Sequence, residues 1–552
     1  MKMRKTIYSI ALLLCCSALS AQNLNPVVEV TNAYESGSAN IEKPVLGIEV
    51  PDSVMKFKLD FDYSSLETPY SGSYEFRPYL VELRPQAPLS TQNRFYLRAG
   101  AGYSLHPEVE LVVTPVLKDN FTLNIFADHN SYFGSYKTIA PQGGRICPNG
   151  EKWAGADMGN RIGADGVYSY GSGEMSFSMS YDHAYNSLPA LNRGFYGFSV
   201  GAGVKNLQRD PAVYYDANLQ IRTGTHVQRW TAGGRERFAD TRFLLDGTIG
   251  FPIRDSRAFL DAAVLMDAMS VGSVTCLRAT PRYVFDWEDV HFDLGVRIEG
   301  TFRSRTELLP SKGGVIFPAV RIAWRLMDDM LVLQGSATGG NRYALPYELM
   351  DESRFLSLPL LQDKWDISVE RVRAMAGVRG SLSDIFGYDL QLGYANWKNA
   401  RVASFNAGGG DVPYTLGYAD LNMLFAELWL KLKLDSWKFD AHAKYSHVKV
   451  NVVDVLGPAP FTSDASLLYD WGGRIQAGLS VQMASERRMR TSEGTPLVLP
   501  SWWDLGVYAS YAWTRNFGFW IKGGNLLCQN IQRVPGICEK GLFFTAGIRL
   551  NF

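Results

Sequence analysis

The chain has 552 residues, with 55 Lys+Arg against 55 Asp+Glu, so its formal charge is zero and it carries no nucleic-acid footprint. Apolar residues make up 46% and aromatics 13%, yet mean hydropathy is slightly negative, which excludes a bundle of membrane-spanning helices. Many aromatics without long apolar runs fit a wall of transmembrane β-strands, where only alternate residues meet lipid and aromatic girdles mark both water interfaces.

Residues 1–21 read as a secretory signal peptide. Lys2, Arg4 and Lys5 precede the apolar stretch Ile7 to Cys16, and small residues follow, with cleavage expected before Ala21 or Gln22. Residues 22–91 are rich in Pro, Ser and Glu, with one alternating stretch at Met55, Phe57, Leu59, Phe61 and Tyr63. They read as an extended segment that stays periplasmic or enters a lumen; the competing reading adds one or two strands to the barrel.

Residues 92–552 then alternate apolar and polar side chains again and again, with turn residues between. Met175, Phe177, Met179 and Tyr181 oppose Ser176, Ser178, Ser180 and Asp182. Val290, Phe292, Leu294, Val296 and Ile298 oppose His291, Asp293, Arg297 and Glu299, and Ile475 to Met483 repeats the pattern. So many long strands, each with one wet face, predict an all-β fold: a transmembrane antiparallel β-barrel of about 22 strands. Tight turns are expected on the periplasmic side at 118–120, 171–173, 328–329, 435–436, 472–473 and 515–516. Longer surface connections are expected at 132–158, 224–236, 340–366, 450–460, 485–500 and 528–540.

Four cysteines follow the signal: Cys147, Cys276, Cys528 and Cys538. An oxidising compartment permits pairing, with Cys528 and Cys538 flanking one connection as the best candidates; four unpaired thiols are the alternative. Without a CxxC, a zinc site is not expected.

The last strand, Gly541 to Phe552, puts Leu542, Phe544, Ala546, Ile548, Leu550 and the terminal Phe552 on one face. A terminal aromatic on such a strand resembles the signal read by barrel-assembly machinery, carried here by Phe544, Ile548, Leu550 and Phe552. Upstream, Pro500, Tyr511, Asn525, Leu526, Leu527, Gln532, Pro535 and Gly541 resemble the C-terminal pattern of TonB-dependent receptors, in which a strand ends in Asn-Leu-Leu. The resemblance covers about the last 55 residues firmly and implies a 22-strand receptor barrel. It departs at the other end. Such receptors carry a folded plug of more than a hundred residues, whereas about seventy residues precede the first strand here, without a plug-like Gly-rich pattern. In that respect the chain is similar to plugless, receptor-like barrels of Bacteroidetes.

No nucleophile elbow, P-loop, dinucleotide fingerprint or HExxH is present, so no enzyme and no cofactor is expected. Two histidines stand in matching contexts, Asp128-His129 and Asp182-His183; neighbours on a strand point to opposite faces, so neither pair is a dyad. Lumen faces mix both signs, as at Arg297, Glu299, Lys431, Lys433, Lys438, Asp440 and Lys444. Tyr347, Phe355 and Trp365 make residues 346–365 an apolar loop suited to packing or to a contact. The expected function is passage or uptake of a solute across the bacterial outer membrane. The alternative is a non-conducting accessory barrel in an outer-membrane complex or assembly machine. The expected partners are outer-membrane lipid, the assembly machinery, and outer-membrane lipoproteins or a periplasmic energy-coupling protein.

Overall fold

The structure, a computed structural model, describes residues 94–103, 105–115, 120–207, 211–304, 313–327, 330–343, 366–383, 385–405, 414–450, 455–490, 496–533 and 536–552. The signal peptide, the whole of residues 22–91, and Tyr347, Phe355 and Trp365 lie outside the described residues.

The wall opens with β1 (Phe95–Gly102), β2 (Glu108–Val113), β3 (Phe121–Gln142), β4 (Arg145–Tyr170), β5 (Gly173–Ser187) and β6 (Leu191–Asn206). Next come β7 (Tyr214–Trp230), β8 (Arg235–Ile253), β9 (Ser256–Met269), β10 (Gly272–Trp287), β11 (Val290–Arg303) and β12 (Ile316–Met327). Then follow β13 (Leu331–Tyr343), β14 (Ile367–Leu382), β15 (Phe386–Phe405), β16 (Tyr414–Leu434), β17 (Trp437–Val450), β18 (Val455–Leu456) and β19 (Phe461–Trp471). The chain ends with β20 (Ile475–Ala484), β21 (Arg487–Arg490), β22 (Pro496–Leu499), β23 (Trp502–Ala512), β24 (Phe517–Gly524) and β25 (Phe543–Asn551).

Three of these stand outside the sequential ladder. β18 pairs with the end of β15, and β21 and β22 form a small hairpin between β20 and β23. The other 22 strands pair antiparallel with their neighbours, with β17 meeting β19 and β20 meeting β23. β25 then returns to β1, from Tyr96↔Asn551 to Gly102↔Thr545, and closes the barrel. Closure removes the exposed edges that would otherwise leave backbone groups unpaired in lipid. The seam is tight: a Cβ on Gly547 would sit 2.0 Å from the Ala99 carbonyl oxygen.

Alternation decides which face meets what. Met175, Met179, Val296, Ile298, Leu392 and Leu424 are exposed outward, while Asp293, Glu299, Gln391 and Ser180 on the same strands are buried inside. The apolar belt is therefore outside and the polar face lines the lumen, the inverse of a soluble protein. At the end bearing the C-terminus, links such as 171–172, 254–255, 288–289 and 435–436 have two residues each. Arg254 and Glu288 adopt positive φ (54° and 50°) to make these turns.

Two of the expected surface connections are strand instead. Residues 132–158 continue β3 and β4 to a two-residue turn, with Gly143 and Gly144 at φ 55° and 78°, the conformation a type I′ hairpin needs. Aromatic pairs carry the ladder outward: Tyr136 stacks on Trp153 at 4.7 Å and meets Tyr132 edge-on at 5.2 Å. Likewise 224–236 is mostly strand, with four residues between β7 and β8. A crossing needs about 9–11 residues, so β3 and β4, with 22 and 26, project well beyond the bilayer. The expectation of loops at 132–158 and 224–236 was therefore wrong: the strands carry on past the height at which a crossing would end.

Candidate functional site: the inner wall

The inner face is a network of charge pairs strung across strands. On β9 to β12, Arg282 grips Asp261 with two nitrogens at 2.6 and 3.0 Å and reaches Asp293 at 2.7 Å. Arg321 approaches the same Asp293 oxygen at 3.8 Å. Arg278 donates to Glu299 at 2.8 Å, and the other Glu299 oxygen accepts from the Asn341 backbone at 3.1 Å. Farther round, Arg373 donates to Glu370 at 2.8 Å, Lys444 pairs with Glu427 at 2.8 Å, and Gln334 and Gln391 both donate to Asp389. Adjacent strands put side chains of one face about 5 Å apart, so opposite charges in register meet without distorting the wall.

Between β8 and β13 this network surrounds a cavity of about 350 Å³. Arg278, Arg282, Arg297 and Arg321 contribute guanidinium groups; Asp246, Asp261, Asp293, Thr248 and Thr280 contribute oxygens. Arg297 donates to the Gly339 carbonyl at 2.9 Å, and Thr248 donates to Asp261 at 2.8 Å. Forked guanidinium donors held by carboxylates present a rigid surface to carboxylate or phosphate groups. Among the described residues, no group of three or more His, Cys, Asp and Glu is placed to hold a metal ion. A different surface lines the inner wall on β14 to β16, where Met375, Ala395, Trp397, Leu421, Met423 and Phe425 form a buried apolar cluster. The sequence reading missed it, although Trp397, Leu421, Met423 and Phe425 share the alternation parity of the inner face.

The residues singled out from sequence fall in several places. Arg297 and Glu299 belong to the inner network. His129 and His183 come together, but on the outer face: Asn160 of β4 stands between them, 2.6 Å from His129 Nδ1 and 3.0 Å from His183 Nδ1. Asn525 sits at φ 47° and is nearly sealed; its amide accepts from Gln529 N at 2.9 Å and donates to Gln529 O at 2.9 Å. Leu526 donates its backbone N–H to Leu505 O at 3.0 Å, Leu527 faces outward, and a Cβ on Gly541 would meet nothing. Phe544, Ile548 and Phe552 are exposed on the outer face, and the Phe552 ring lies 6.3 Å from Phe95 across the seam. Cys528 and Cys538 are both free thiols, so the expected bridge is not formed. Cys528 turns outward at φ 52° while Cys538 is buried, and burial pushes the Cys538 thiol up to about 11.

No family model matches the chain, and no curated protein sequence does. Solved structures do. The siderophore receptor PirA from Acinetobacter baumannii aligns at TM-score 0.60 and 12% identity, over 83% of this chain and 80% of that one. The FrpB iron transporter from Neisseria meningitidis aligns at 0.62 and 11%, over 83% and 81%. The copper transporter OprC gives 0.61 and 12%, over 83% and 81%. At such identities the likeness is one of fold. The chain is a 22-strand outer-membrane β-barrel of the architecture used by these receptors and transporters.

Proposed function

We propose that this barrel carries a solute across the bacterial outer membrane through its lumen, as a receptor-like barrel of the Bacteroidetes kind, with residues 22–91 in place of a folded plug. The observation that supports it best is the charged recess on the inner wall, where four arginines converge, three of them against carboxylates and Arg297 against a backbone carbonyl. Solutes bearing carboxylate or phosphate groups suit it, because each fork can exchange one protein carboxylate for one ligand oxyanion. PirA, FrpB and OprC handle siderophore, iron and copper respectively, so a chelated metal with anionic groups is a reasonable cargo class. Uptake against a gradient then calls for a periplasmic energy-coupling partner engaging the N-terminal segment.

Uptake by intact cells of paired solutes differing only in a carboxylate tests this. Arg282→Gln together with Arg321→Gln should slow the anionic member selectively. Equal slowing of both, or none, contradicts the reading.

A further inference from the structure

On the outside of the wall, the β7–β8 hairpin carries a charge arrangement that the lumen does not explain. The outward residues of β8, read from the C-terminus-bearing end of the barrel, are Ile253, Phe251, Ile249, Gly247, Leu245 and Phe243, then Thr241 and Ala239, then Arg237 and Arg235. The register sets Arg229 of β7 directly opposite Arg235, and Val227 opposite Arg237. Gln228, His226 and Phe238, the intervening residues, are buried on the inner side, so all three arginines point away from the lumen, and all three are exposed.

Like charges directly opposite on one sheet face destabilise the pair. The nearby carboxylates do not relieve it. Glu236 shares the inner parity opposite Gln228, and Asp240 turns inward to His226 at 3.6 Å. Among the described residues, none of the three arginines has an ion pair with a carboxylate.

We propose that Arg229, Arg235 and Arg237 bind the phosphate groups of an anionic glycolipid in the outer leaflet. Position selects a lipid over a soluble anion. Arg237 lies four residues beyond Thr241, where the apolar run ends; at about 3.3 Å per residue and a tilt of about 40°, that is about 10 Å higher. The headgroup layer occupies this height, and an arginine stem can reach several ångströms back toward it. Planar guanidinium forks suit phosphate, and an anion between Arg229 and Arg235 turns the repulsive pair into a clamp. The inference rests on the outer-membrane placement and is independent of what crosses the lumen.

The test uses the full chain in neutral detergent, with thermal unfolding followed in three additions: phosphorylated lipid A, the same lipid stripped of phosphate, and inorganic phosphate. Only phosphorylated lipid A should raise the midpoint. The variant R229Q/R235Q/R237Q should bind it on the order of a hundredfold more weakly, while being at least as stable as the parent without lipid. The single variant R237Q, which leaves the hairpin pair intact, should lose about fivefold. An unchanged response in both variants, or an equal rise with inorganic phosphate, overturns the proposal. Solute uptake should be unaltered in either variant, which separates this inference from the transport reading.

Discussion

Lys540 holds its ammonium nitrogen 2.9 Å from Nε2 of His106. An ammonium only donates, so towards Lys540 Nε2 accepts and the imidazole is neutral; the ring also lies against Asn130 Oδ1, 3.2 Å from Nε2, and Thr545 Oγ1, 3.1 Å from Nδ1. His106 lies in the turn between β1 and β2, has no exposed surface, and packs edge-on against Phe543 at 5.0 Å. Burial first, and then the Lys540 charge, push its pKa down to about 4, against the opposing pull of Glu108.

A pH dependence of stability follows. Unfolded His106 gains a proton near pH 6.5, whereas the folded ring stays neutral until about pH 4. Between these values the unfolded state binds more protons, so stability falls as pH drops from 6.5 to 4. The loss attributable to this ring is on the order of 3 kcal/mol at pH 4. His106→Gln should flatten that slope in denaturant titrations across pH 4–7. A variant with the parent's slope contradicts the assignment.

Asn525 should matter for its side chain. Its amide ties Gln529 from both sides, and its backbone N–H donates to Asp504 Oδ1 at 3.0 Å, fixing the start of the β24–β25 connection. Asn525→Ala removes two good side-chain hydrogen bonds and should cost about 2 kcal/mol of local stability. Limited proteolysis within 525–542 should speed up while the barrel stays intact; cleavage at the parent's rate argues against this role.

The two thiols of that connection should behave differently. A maleimide reagent at pH 7.5 should label exposed Cys528 rapidly and buried Cys538 only after unfolding. Protection of both in the folded chain, released by reductant, restores the bridge expected from sequence.

The C-terminal aromatic is best tested in assembly. Phe552 is exposed on the outer face and touches Phe95 across the seam, so its removal should leave the finished barrel nearly as stable. If it serves as the signal for insertion, deleting Phe552 should lower the amount of barrel in the outer membrane several-fold without shifting its thermal midpoint. An unchanged amount contradicts that role.

The fold was legible because alternation is a local signal. Val290 to Ile298 declares an outer face within nine residues, and each strand repeats the statement. Turns such as Gly472-Gly473 mark the ends, so the strand number could be counted. Extent was less legible. Tyr132, Tyr136 and Trp153 alternate just as lipid-facing segments do, and nothing local separates a strand in the bilayer from one in water above it. The inner recess was hidden for another reason. Asp261, Arg282, Asp293 and Arg321 lie on four successive strands, β9 to β12, and only the pairing of those strands in register brings them together. The His129–Asn160–His183 row has the same origin: its middle member comes from a third strand that no motif links to either histidine.

Passage through the lumen is the central claim, and proteoliposome swelling measures it most directly. Purified full-length chain and a chain lacking residues 23–90 are reconstituted separately and challenged with small anionic and neutral solutes. If residues 22–91 occupy the path, the shortened chain should swell vesicles markedly faster than the full chain, and Arg282→Gln with Arg321→Gln should alter its preference for anions. No swelling by either chain, with the barrel demonstrably folded, would contradict transport as the function.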